Sequence, residues 1–149
     1  MSLEKYWKKR EFKKTPEPKG KVLKTKKHRF VVHDHFAKKA RHHHDLRLEM
    51  EGVLKSWAVP KGVPIKAGVK RLAIQTEDHP VDYINFEGEI PKGSYGAGRV
   101  KIFDRGNCKS VEKEKDGIFF EVKGKKLKGK YSLIKLKGKS DQWLLFKTK

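Results

Sequence analysis

The segment His33-Asp34-His35-Phe36-Ala37-Lys38-Lys39-Ala40-Arg41-His42-His43-His44-Asp45-Leu46-Arg47-Leu48-Glu49 sets most of the chain's histidines beside carboxylates and arginines. Read as a strand, its later part sends successive side chains to opposite faces. His43, Asp45, Arg47 and Glu49 then share one face, and His44, Leu46, Leu48 and Met50 the other. An imidazole and a carboxylate two residues apart on one strand face can grip a single ion, and manganese, zinc or iron suits that donor set. His35 is the natural third donor. Three protein ligands leave positions open for water or a phosphate oxygen, as Lewis-acid chemistry requires. Arg47, one pleat along, would add a planar two-pronged donor matched to phosphate. The plainer reading of the row is a solvated loop or an adventitious metal binder. Of the triple histidine only His43 lies on the Asp45 and Arg47 face, so His42 and His44 are expected to be structural or peripheral.

A second group is Arg71-Leu72-Ala73-Ile74-Gln75-Thr76-Glu77-Asp78-His79-Pro80-Val81-Asp82-Tyr83. Arg71 sits on an alternating run, and His79 stands at its exit before a proline that fixes the turn. Histidine exchanges protons near neutral pH, and Arg71 could add a positive contact to a phosphate. Taken singly, either is an ordinary surface residue.

Short strands must position these groups. Period-two runs at 28–32, 45–50, 53–59, 71–76, 99–104, 118–122, 131–136 and 143–146 are separated by turn residues, including Glu51-Gly52 and the glycine-rich 93–98 loop. About eight strands without a long helix predict a single-domain, mainly β chain folded as an antiparallel β-barrel. Ahead of it, residues 1–27 read as a basic N-terminal arm. It begins with a short helix around Leu3 to Phe12 and is broken by Pro16 and Pro18. The barrel domain is expected over 28–149.

The formal charge is +20, from 38 Lys plus Arg against 18 Asp plus Glu. Such an excess is the footprint of a polyanion binder, with affinity that falls steeply as salt rises. A heat-adapted lysine-rich surface would show Glu rising alongside Lys, and here it does not. The single Cys108 excludes an internal disulfide, no apolar run approaches a membrane span, and the N-terminus is charged where a signal peptide would be apolar. A cytoplasmic monomer with no membrane partner is expected.

The string His43-His44-Asp45-Leu46-Arg47-Leu48-Glu49, continuing as Gly52-Val53-Leu54-Lys55-Ser56-Trp57-Ala58-Val59-Pro60-Lys61-Gly62, resembles the signature of the 3′-phosphoesterase domain of DNA ligase D and its stand-alone relatives. His79-Pro80-Val81-Asp82-Tyr83, Phe86-Glu87-Gly88-Glu89-Ile90-Pro91 and Tyr95-Gly96-Ala97-Gly98 agree, as do Arg10-Glu11-Phe12 and Glu17-Pro18 in the arm. The resemblance implies a manganese-dependent hydrolase, with other divalent transition metals as substitutes. It would remove a terminal ribonucleoside and then the 3′ phosphate from a DNA primer strand, leaving a 3′ hydroxyl for end-joining repair. It implies His35, His43 and Asp45 as metal ligands, Arg47 and His79 as the phosphate-binding catalytic pair, and Arg71 and Tyr83 as supporting positions. Arg10, Glu11 and Glu17 become arm residues on which activity depends. The segment before His43 is longer than the family pattern, which keeps His33 as an alternative upstream ligand, while the spacing from Val31-Val32 selects His35. These residues include no polymerase or ligase module, so separate ligase, polymerase and end-binding proteins are the expected partners. Two other readings stand beside this one: a non-catalytic nucleic-acid-binding barrel with an incidental histidine cluster, and a histidine-rich metal carrier that would leave charge and arginines unexplained.

Overall fold

The computed structural model describes residues 2–23, 27–37 and 42–148. The parts of the arm at 24–26 and of the histidine-rich stretch at 38–41 lie outside the described residues. The strands are β1 (Arg29–Ala37), β2 (His43–Met50), β3 (Val53–Val59), β4 (Lys70–Gln75), β5 (Gly88–Ile90), β6 (Gly98–Glu114), β7 (Gly117–Lys123), β8 (Lys128–Lys135) and β9 (Gln142–Lys147). They run β1-β2-β3-β4-β9-β8-β7-β6, and β6 returns to pair with β1, so eight antiparallel strands close a barrel as the alternation predicts.

Two features went beyond the period-two pattern. β5 is three residues long, too short to show alternation, and adds to the flank of β6 at Gly98–Val100. β6 itself continues to Glu114 because it changes partner midway. Its first part pairs with β1 and its second with β7, with a shift in register between Cys108 and Ser110. Such a shift bends a strand and tightens its twist, which is how a sheet is brought round to close.

The barrel interior is filled by Phe30, Leu46, Leu48, Trp57, Leu133 and Leu145 among others, each at most 2% exposed. Burying each such side chain contributes roughly 1.5–3 kcal/mol. A second apolar cluster lies on the outer face of the same strands, where Val31, Leu54 and Val100 meet Ile84, Phe86 and Ile90. The lid over it includes a 3-10 helix, Val81–Asn85, and the sole α-helix among the described residues, α1 (Glu4–Lys8). Tyr6 is buried in this cluster, with Trp7 and Phe12 packed against it, so the arm packs onto the barrel. No helix among the described residues is long and apolar enough to cross a membrane.

The β2–β3 hairpin shows how sequence sets this. Both turn residues, Glu51 and Gly52, have positive φ, 55° and 82°, the geometry that matches strand twist in a two-residue loop. A Cβ on Gly52 would fall 1.8 Å from the carbonyl oxygen of Leu23. The Leu23 amide donates to the Gly52 carbonyl at 3.0 Å, which stitches the arm to the hairpin.

Candidate active site

Register brings the reactive row together. His35 pairs with His43, His33 with Asp45 and Val31 with Arg47, so these side chains share the outer face of β1 and β2. Nδ1 of His35 lies 3.4 Å from one Asp45 carboxylate oxygen, and Nε2 of His43 lies 3.1 Å from the other. One ligand atom from each of the three residues fits within a 4.8 Å span. Burial alone would push the Asp45 carboxyl up. Hydrogen bonds from His35 and His43, with the charge of Arg47, outweigh it and hold the group well below the usual carboxylate range.

The donor chemistry fits an ion. His35 donates Nε2–H to the Gly96 carbonyl at 2.8 Å, so an ion that replaces the proton its Nδ1 shares with Asp45 would meet a lone pair there. Outer hydrogen bonding of this kind fixes the tautomer of a metal-binding imidazole. The other convergent group, Asp34, His42 and His44, fails the same test. There the Val63 amide donates to Nδ1 of His44 at 3.0 Å, so Nε2 carries the proton and faces Asp34 at 3.0 Å. A neutral ring used in that way has no lone pair left for an ion.

His33 is placed differently from His35. Its Nδ1 accepts from Nε of Arg47 at 3.1 Å, and its Nε2–H donates to the Phe86 carbonyl at 3.0 Å. Burial, reinforced by the Arg47 charge, lowers its pKa to about 3, so it stays neutral. It is a support for Arg47.

Arg47 is buried and reaches His79, with Nη1 at 3.2 Å from Nδ1 and 3.4 Å from Nε2. It also lies over the Tyr83 ring, 4.8 Å from the centroid. Nδ1 of His79 lies 2.9 Å from the Glu77 carbonyl and 3.1 Å from Oγ of Ser56, whose own proton goes to the Leu54 carbonyl. Nδ1 is therefore protonated, and the Nε2 lone pair faces Arg47 and Nη2 of Arg10, the latter at 3.5 Å. The arm supplies Arg10, whose ion pairs to Glu17 at 2.9 Å and Glu77 at 3.3 Å are almost wholly buried. Tyr83 donates its hydroxyl to Glu17 at 2.6 Å. Burial raises the phenol pKa well above its usual value in spite of the nearby Arg47, so Tyr83 remains a donor.

Burial, then Arg47 and Arg10, holds the His79 imidazole well below its ordinary value. The unfolded chain therefore binds more protons here in acid than the folded one. The stability tied to His79 is complete above about pH 6.5 and is lost as the pH falls from there toward the folded pKa. Nitrogen-resolved NMR is expected to show His79 still neutral and Nδ1-protonated at acidities where a free imidazole is charged, with the urea midpoint declining below about pH 6.5. Titration of His79 near 6.5 would contradict the assignment.

Not every candidate from the sequence is gathered here. Arg71 shares the sheet face of Ala73, which packs into the barrel interior, opposite to the Asp45 face, and its guanidinium donates to the Lys61 carbonyl. Glu11 is about 70% exposed and pairs with Lys14 at 3.1 Å. Conversely, Glu77, Ser56 and the supporting role of His33 were not singled out from the sequence. The alternation signal that could have shown Ser56 is its place opposite Arg47 in the β2–β3 hairpin.

These groups line a cleft of about 640 Å³, with Arg10, His35, His43, Asp45, Arg47 and His79 on its walls. That is within the range of small-molecule sites. Residues 33–135 match the family described as the DNA Ligase D 3'-phosphoesterase domain. The chain is similar to the Multifunctional non-homologous end joining protein LigD of Pseudomonas aeruginosa, 46% identical over an alignment of 157 residues that covers 99% of the chain and 18% of that protein. It is similar to the Multifunctional non-homologous end joining DNA repair protein LigD of Mycobacterium tuberculosis, at 42% identity over 99% of the chain and 20% of that protein. A third relative, from Mycolicibacterium smegmatis, is 43% identical over 94% of the chain and 20% of its own length. The chain thus spans about a fifth of the length of these relatives.

Proposed function

Because this chain belongs to the DNA ligase D 3′-phosphoesterase family, we propose that it is a metal-dependent phosphoesterase that trims the 3′ ends of DNA strands in end-joining repair. The observation that carries this reading is the convergence of three metal-type donors, His35, His43 and Asp45, with the Arg47–His79 pair in one cleft. A plain nucleic-acid binder has no use for a buried carboxylate beside its phosphate-binding arginine, since the carboxylate repels the ligand. The +20 charge of the chain supports DNA as the partner.

His35, His43 and Asp45 would hold a manganese or similar divalent ion, which supplies Lewis-acid polarisation of a phosphoryl oxygen when bound. The protein's own groups do the rest. Arg47 and Arg10 bind the non-bridging oxygens and neutralise the charge that develops on them. His79 rests neutral; the negative charge of an arriving phosphate favours its protonated form, and Nε2–H can then donate to the leaving oxygen. Tyr83 and Glu17 keep the two arginines in place. In the first step water adds to the phosphodiester and the bond to the terminal ribonucleoside's 5′ oxygen breaks, giving a free ribonucleoside and a 3′ phosphate. In the second, water splits that monoester into inorganic phosphate and a 3′ hydroxyl. Separate ligase, polymerase and end-binding proteins would use this product, and the protein would act as a monomer.

The test is a time course on a 5′-labelled primer-template carrying one terminal ribonucleotide, with and without manganese, resolved on a sequencing gel. Turnover is expected only with the metal. The diester carries one negative charge and the monoester up to two, so charge neutralisation matters more in the second step. Arg47→Ala and His79→Ala are therefore expected to accumulate DNA ending in a 3′ phosphate. Equal slowing of both steps would remove this division of labour, and no trimming by the intact protein with manganese would remove the proposed activity.

A further inference from the structure

The cleft has two unlike sides. Across the sheet, one row of paired residues runs from Ala58 through Asp45 and His33 to Ile102, and the next from His43 through His35 to Val100. The ionisable groups therefore stand over β1 and β2. The flank over β6 and β5 is largely apolar: Ile90, Ala97, Val100 and the ring of Tyr95 make it, with Lys92 and Ser94 of the loop beside them. A phosphate alone makes no use of such a flank, whereas a nucleoside attached to it does.

Tyr95 is unusual for a cleft aromatic in being 48% exposed. It sits in the loop between β5 and β6, where the Ser94 amide donates to the Pro91 carbonyl and the Ala97 amide to the Ser94 carbonyl, both at 3.1 Å. Gly96, with φ of 76°, completes the second turn. Two arm cations lie close to the ring: Nζ of Lys9 is 4.6 Å from its centroid and 3.3 Å from its hydroxyl, and the Arg10 guanidinium carbon is 4.9 Å from the centroid. Beside this loop lies a second hollow of about 560 Å³, bordered by Lys8, Lys9, Lys14 and Lys92 and, among them, by Glu11 and Glu17. Tyr95 lines both hollows, so it forms the partition between the reactive cleft and a lysine-rich groove.

We infer that Tyr95 stacks on the base of the 3′-terminal nucleoside, and that the lysine-rich groove takes the phosphates of the strand leading to it. The inference rests on the 3′-end reading above and adds how the end is held. An aromatic face accepts any base, and lysines that track a backbone read no sequence, so the grip is tolerant of sequence. It also reaches the reactive centre, because the Gly96 carbonyl next to Tyr95 is the group that orients His35.

The experiment uses the intact protein in EDTA, without turnover, and a primer-template whose 3′-terminal residue is the ribonucleoside of 2-aminopurine, a base whose fluorescence is quenched by stacking. Wild type, Tyr95→Phe and Tyr95→Trp are expected to quench it. Tyr95→Ala is expected to abolish quenching and to raise Kd on the order of tenfold. A matched primer ending in a ribose without a base supplies the control. Wild type is expected to bind it about tenfold more weakly than the base-bearing end, and Tyr95→Ala to lose that preference. Replacing Lys8 and Lys14 with Gln should lower the salt slope by roughly 0.7 per lysine. Quenching that survives Tyr95→Ala, or a wild type that trims primers without quenching, overturns the stacking assignment and leaves the 3′-end reading standing. A wild type that neither binds nor trims the primer-template overturns that reading and this inference with it.

Discussion

Asp45→Asn is expected to abolish turnover while the barrel stays folded. The Asp45 carboxylate meets His35 with one oxygen, His43 with the other, and Arg47 at 3.4 Å. A neutral amide of the same shape keeps the packing but removes the charge that an ion and two imidazoles both need. Loss of one ligand from a three-ligand site should lower turnover by a factor on the order of a thousand or more. His43→Ala and His35→Ala should match it. His33→Ala is a different case: it frees Arg47 to shift, yet leaves the three donors, so manganese binding followed by EPR should persist while activity drops. If His33→Ala loses the metal and His35→Ala retains it, the two histidines have exchanged the roles assigned to them.

Arg10→Ala is expected to be the most damaging change outside the donor group. It strips Glu17 of its cation and leaves Glu77 with Lys9 alone, at 3.2 Å; the two carboxylate side chains are 0% and 2% exposed. An uncompensated buried carboxylate is costly, and breaking a buried pair of this kind typically destabilises by about 3–5 kcal/mol. The same change removes the contact to His79, so turnover should fall together with the thermal midpoint. Deleting residues 1–20 extends the effect, since it also withdraws Tyr6 from the outer cluster. Among the described residues the barrel interior draws nothing from the arm, so far-UV circular dichroism should still report strand while activity is lost. A truncated protein with undiminished turnover would show that the arm is dispensable to the site.

How much of this was legible depends on which residues carried a clean period. The β2 row was, because Leu46, Leu48 and Met50 leave no choice about which face is the core, and His43, Asp45 and Arg47 must then lie together. β4 was not. Its residues Arg71, Ala73 and Gln75 alternate with Leu72 and Ile74, and hydrophobicity favours the second set as the inner face. The structure turns Ala73 inward at 0% exposure and leaves Leu72 at 42%, because Trp143 opposite Ala73 already fills that part of the interior. Arg71 consequently leaves the face where its charge was expected. The arm was opaque for another reason. A five-residue helix shows little periodicity, and a buried Glu17 reads as a surface residue until its partners Arg10, Thr15 and Tyr83 are seen around it. The family resemblance, in contrast, drew attention to Arg10 and Glu17 without saying what they touch.

The β1–β2 hairpin has a consequence for the order in which this molecule assembles. All three donors lie on two strands adjacent in sequence, so bringing them together costs little loop-closure entropy and can happen early. Barrel closure is the opposite case: Ala37 must find Gly98, and Arg29 must find Asn107. The Gly96 carbonyl that orients His35 arrives with that later event. If His35, His43 and Asp45 hold the proposed ion, the two strands that would capture it come together before the loop that orients His35 is in place.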